Sequence, residues 1–179
     1  MQPTARQVAN TVVDLCEAVW PEGVDDGLVW LESLGIQTGT ATMTLLGDSC
    51  RMWHTARMPA WGTTEAGWST YREQFAGVSW FIWRDETPQR VLGSAIELAH
   101  FLSDPLGPAT ESSETTPLSG GTWWWQLEAH SIEMYAYTGA MSRDRRPAIP
   151  PCVQLAVDLR EVSDPREAEA VRQSEAGGF

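Results

Sequence analysis

The sequence predicts an α+β fold in which an antiparallel sheet of about five or six strands packs one face on amphipathic helices, a two-layer sandwich. Three observations carry that expectation. The stretch 122–138, TWWWQLEAHSIEMYAYT, alternates apolar and polar residues at the period of a half-buried strand. Two other stretches, beginning at Thr4 and Thr87, place a hydroxyl residue at a helix start ahead of apolar residues spaced three and four apart. The composition, 42% hydrophobic and 20% charged over 179 residues, is that of one globular domain.

Each element follows in order. Behind Thr4, Val8, Val12, Leu15 and Val19 form one helical face. Trp20, Pro21 and Gly23 break it, and a second short helix carries Leu28, Leu31 and Leu34 before Gly35. Residues 36–46 and 51–58 alternate as two strands around a turn at Gly47, Asp48 and Ser49. Trp68, Tyr71 and Phe75 stand at steps of three and four, which predicts a helix there, and residues 78–83 read as a buried strand. Thr87 and Pro88 are an N-cap and a first-turn proline for a long helix that buries Val91, Ala95, Leu98 and Leu102 and ends at Pro105 and Gly107. Residues 107–121 are rich in Ser, Thr, Pro and Gly and are expected to be a mobile loop. The alternating stretch then forms a hairpin turning at about 129–131, a second long loop follows, and residues 152–160 make a last strand before a short charged helix and a frayed end from about residue 174.

In the hairpin, Trp123, Trp125, Leu127 and Ala129 share one face, read as core, and Trp124, Gln126, Glu128 and His130 the other. Glu133, Tyr135 and Tyr137 oppose Ile132, Met134 and Ala136 in the second strand. Ten Trp residues are a heavy aromatic load. Since a packed indole buries on the order of 200 Å², most of them must be structural.

Charge narrows the partners. Twenty-four acidic residues face twelve basic ones, all Arg, for a net charge of -12. That field repels nucleic acid and anionic membrane and favours a basic partner. Cys16, Cys50 and Cys152 are odd in number and scattered, so no disulfide framework is expected. With no leader pattern and no long apolar run, the sequence reads as cytoplasmic.

Motifs for catalysis are missing: there is no Gly-x-Ser-x-Gly, no phosphate-cradling loop, no His-Glu-x-x-His and no Gly-x-Gly-x-x-Gly. No cofactor is expected. Cys50 and His54 fall on one predicted strand, where residues four apart sit about 13 Å from each other, too far to chelate one metal. Glu97 and His100 share a helical side, but one Glu-x-x-His is half of a carboxylate-bridged metal site. No metal site is expected either. The run Arg143, Asp144, Arg145 and Arg146 suits pairing with the chain's own acids.

Between Arg90 and Arg143 no basic side chain occurs, while Glu97, Asp104, Glu111, Glu114, Glu128 and Glu133 all fall there. Trp124, Glu128, Glu133, Tyr135 and Tyr137, with Glu111 and Glu114 from the loop, therefore form the candidate partner-binding surface, aromatic anchors bordered by carboxylates. The expected function is a non-catalytic module that binds a basic protein. The alternative is a small-molecule or carbohydrate-binding protein, with or without hydrolysis, that stacks its ligand on Trp and Tyr.

The step Val19-Trp20-Pro21, a helix closing in Leu106-Gly107-Pro108 and the Trp-rich strands that follow resemble a family of uncharacterised actinobacterial proteins over residues 5–160. That family is associated with gene neighbourhoods of secreted toxins and their immunity proteins. The resemblance implies toxin neutralisation, as an immunity or inhibitor protein, and implies no catalytic residues.

Overall fold

The computed structural model describes residues 2–42, 51–62, 64–84, 86–113, 115–116, 120–139 and 150–176. Helices α1 (Ala5–Glu17) and α2 (Val24–Ser33) precede strands β1 (Gln37–Thr42), β2 (Arg51–Arg57), β3 (Glu65–Tyr71) and β4 (Gln74–Ile82). Helix α3 (Pro88–Leu106) then leads into β5 (Glu111–Ser112), β6 (Gly121–Gln126), β7 (His130–Tyr137), β8 (Cys152–Leu159) and helix α4 (Arg160–Ala176). The fold is α+β, and among the described residues its antiparallel sheet has eight strands in the order β1-β2-β3-β4-β8-β7-β6-β5, where the sequence predicts about five or six.

Local chemistry explains the long helices. The Thr4 side chain accepts from the Gln7 backbone N–H while Gln7 reaches back to the Thr4 N–H, a reciprocal cap that starts α1. Thr87 accepts from the Arg90 N–H at the start of α3, with Pro88 behind it. Val8, Val12 and Leu15 of α1 are buried against Val91, Ala95, Leu98 and Leu102 of α3, and together they cover Ile132, Met134, Val153, Leu155 and Val157 of the sheet. Val19 departs from the expected stripe: α1 stops at Glu17, so the residue leaves the helical register and stands 92% exposed. Trp20 takes the buried place instead, its indole Nε1 donating to the Leu15 carbonyl in the last turn of α1. The indole of Trp125 ties β6 to the end of α3 in the same way, donating to the Gly107 carbonyl.

The stretch expected to be helical around Trp68, Tyr71 and Phe75 is the β3–β4 hairpin. Arg72 and Glu73 both hold positive φ, 51° and 65°, the conformation of a two-residue hairpin turn that Asn and Gly normally supply. A bulge between Ser69 and Thr70 lets Trp68 and Phe75 pack together on the helix side, 5.6 Å between ring centroids, while Tyr71 and Ala76 face the other way.

That second face is divided. Helix α4 covers part of it: Val162 packs on Tyr71 and Ala76, Arg166 pairs with Asp158 at 3.3 Å, and Glu169 takes hydrogen bonds from the Tyr71 hydroxyl and Arg72. The sheet beneath is lined by Ser69, Gly77 and Ser79, small enough for a helix to approach. Gly77 is required in that setting, because a Cβ there would meet the Asp158 Oδ1 at 1.6 Å and the Val157 carbonyl at 2.9 Å. The contacts of α4 with the sheet fall chiefly on β3, β4 and β8.

Candidate binding site

The uncovered half of the sheet holds the candidate site. Strand register puts Glu111 of β5 directly opposite Trp124 of β6, and Trp124 directly opposite Glu133 of β7. Directly opposed residues in antiparallel strands share a face, so an indole stands in a row with a carboxylate on each side. In the next row Thr122 lies opposite Tyr135, and Tyr135 opposite Gln154 of β8. Glu111, Trp124, Glu133 and Tyr135 line an open recess of about 320 Å³, joined at the sheet edge by Ser112, Ser113, Thr122 and Trp123.

Hydrogen bonds fix the walls. The Tyr135 hydroxyl donates to Glu133 Oε2 at 3.1 Å, which turns the carboxylate and leaves its other oxygen unengaged by any described residue. Burial, and then the neighbouring Glu133 charge, push the Tyr135 phenol up to about 12, so it keeps its proton at neutral pH. Tyr137 stacks on Tyr135 with 6.3 Å between centroids and donates to Gln154 Oε1 at 2.9 Å. The Trp124 indole N–H is shielded from solvent and makes no hydrogen bond to a described residue. Strand β5 is secured by side chains as well as main chain: Ser113 Oγ accepts from the Thr122 N–H and Thr110 Oγ1 from the Gln126 N–H.

Of the seven residues expected to form the surface, Glu111, Trp124, Glu133 and Tyr135 meet in the recess, and Tyr137 stands behind Tyr135 without lining it. Glu128 does not join them. Strand β6 ends at Gln126, so Glu128 is exposed in the turn rather than on the strand face. Glu114 lies outside the described residues. His130 also changes place: it opens β7 and turns toward the helices, buried with its ring 5.4 Å from Trp20. Ser112, Ser113, Thr122 and Trp123 were not expected in the site. Residues 107–121, read as a mobile loop, include the edge strand β5 and a bridge between Thr116 and Gly120.

No protein-family model, curated protein or solved structure matches the chain. The site therefore stands on its own geometry.

Other candidate groups are dispersed. Among the described residues no cluster of three or more His, Cys, Asp or Glu could hold a metal ion. Cys50 and the run 143–146 lie outside the described residues, and His100 is exposed beside Phe101. Burial, with Glu17 beside it, pushes the Cys16 thiol up to about 11, the wrong direction for a nucleophile. Within the described residues no helix is long and apolar enough to cross a membrane. A second cavity of about 430 Å³ between α1 and α3 contains Arg6, Arg90 and Glu97. Its cations are engaged: Arg6 lies 4.3 Å above the Phe101 ring and Arg90 pairs with Glu86 at 3.1 Å.

Proposed function

We propose that the chain is a non-catalytic module whose open sheet face docks a basic protein. The observation that carries this reading is the cross-strand row Glu111, Trp124, Glu133, with Tyr135 beside it, around a recess with no basic residue among its described lining, in a chain of net charge -12. Half-buried aromatic rings give such a face its anchors, and carboxylates at their borders give charge complementarity and fast capture. The immunity or inhibitor form of the reading adds only that the partner is a secreted toxin, and it rests on the resemblance at Val19-Trp20-Pro21 and Leu106-Gly107-Pro108.

Protamine, an arginine-rich basic protein, serves as the probe. Its association rate with the chain should fall as salt rises, as expected for exposed charges screened over about 10 Å at 0.1 M. Glu111→Lys with Glu133→Lys should weaken binding far more than Asp25→Lys with Asp26→Lys, a pair that changes net charge equally on α2. Equal losses for the two pairs would mean that the overall field attracts protamine and that this face does not dock it.

Carbohydrate binding is a second reading, favoured by the same rings and the hydroxyls of Ser112, Ser113 and Thr122 around a concave site. It expects saturable binding of a sugar that salt leaves unchanged.

A further inference from the structure

We propose that the recess binds the side chain of an arginine presented by the basic partner, the guanidinium lying against the Trp124 ring with the Glu111 and Glu133 carboxylates on either side. This rests on the docking reading above and specifies what the face selects.

Three features favour a guanidinium. Adjacent strands are about 4.8 Å apart, so Glu111 and Glu133, on the strands flanking Trp124, are separated by about 10 Å at the backbone with an aromatic surface between them. A planar cation with five donors can lie on the ring and direct N–H groups toward both edges, whereas an ammonium is a compact point charge that holds its water strongly. The second feature is the acceptor supply. Glu133 spends one oxygen on Tyr135 and keeps the other, Glu111 has no hydrogen bond or ion pair among the described residues, and the Ser112 and Thr122 hydroxyls stand at the rim. The third is size. About 320 Å³ is at the lower end of the roughly 300–1,000 Å³ of small-molecule pockets, room for one long side chain and a few waters of about 30 Å³ each. Among the described residues no Arg lines the recess.

Capped single amino acids separate this inference from the docking reading. Acetyl-arginine amide, acetyl-lysine amide and acetyl-citrulline amide, the last an uncharged isostere of arginine, are titrated into the ¹⁵N-labelled chain. The indole N–H resonance of Trp124 is assigned by its loss in Trp124→Phe. Capped arginine should shift that resonance saturably, capped lysine should bind roughly tenfold more weakly, and citrulline should leave the resonance in place. Glu111→Gln with Glu133→Gln should abolish the arginine effect while leaving the melting temperature close to that of the parent, so the loss is not one of folding. Equal affinity for arginine and lysine, or a shift produced by citrulline or by N-acetylglucosamine, would overturn the arginine pocket. If capped arginine fails to bind while protamine capture still depends on Glu111 and Glu133, the docking face stands and the arginine pocket falls. If capped arginine binds while protamine is indifferent to both residues, presentation by a protein partner falls with the docking reading.

Discussion

His130 opens β7 with its ring against Trp20 and its Nε2 shielded and without a hydrogen bond to a described residue. Burial lowers its pKa below the ordinary value of 6.5. The unfolded chain therefore takes up a proton near pH 6.5 that the folded chain resists, so this contribution to stability is present above that pH and is lost as pH falls toward the lowered folded value. Melting curves at pH 7.5 and 5.5 should show a larger drop for the parent than for His130→Phe, which cannot take that proton. Both proteins share the same carboxylates, so the difference isolates the imidazole. The residue also marks a limit of reading by parity. With the turn expected at 129–131, His130 falls on the face of Trp124; with the turn at 127–129, it falls on the face of Ile132 and Met134. Strand side chains alternate with period two, so a residue counted with the wrong strand at a turn is put on the wrong face. Trp124 was legible because it precedes the turn, and Glu133, Tyr135 and Tyr137 because Ile132, Met134 and Ala136 fixed the second strand independently.

At the level of elements, the β3–β4 hairpin turns through two non-glycine residues at positive φ, and each such residue costs on the order of 1 kcal/mol. Glu73→Gly should therefore raise stability by up to about 1 kcal/mol, after the greater freedom of glycine in the unfolded chain is offset, measured by urea denaturation with an unchanged m-value. A loss of stability would show that the Glu73 side chain contributes more than its backbone costs. The same turn explains the misplaced helix. Trp68, Tyr71 and Phe75 satisfy a helical spacing, and with Arg-Glu where Asn-Gly would announce a hairpin, nothing local opposed that reading. Helices α1 and α3 were legible because their caps and apolar stripes agree. Strand β5 was not: two residues carry no period, and its place depends on hydroxyl side chains of Thr110 and Ser113 that bond to a strand later in the chain. Helix α4 starts at Arg160 and runs to Ala176, longer than the charged segment suggested, because Val162, Arg166 and Glu169 find partners on the sheet.

Across the whole molecule, β1 to β4 form one meander, β5 to β8 form another, and the two meet last strand to last strand, β4 against β8. Each meander follows helices, α1 and α2 in the first case and α3 in the second. Each half contributes different side chains to one continuous core. Trp80 stands at the seam, fully buried, opposite Leu155. Trp80→Ala should cost about 3–5 kcal/mol, and circular dichroism and tryptophan fluorescence should still lose both halves in one coincident transition. Two separated transitions would show that the halves fold independently. The seam has a practical consequence. Cutting the chain between Trp83 and Thr87, between β4 and α3, breaks none of the hydrogen bonds between β4 and β8. Two polypeptides ending and starting there would each carry a fourth strand with one open edge whose complement is the other, so coexpressed fragments should reassemble into a single particle, while either one alone should pair with its own copy or aggregate.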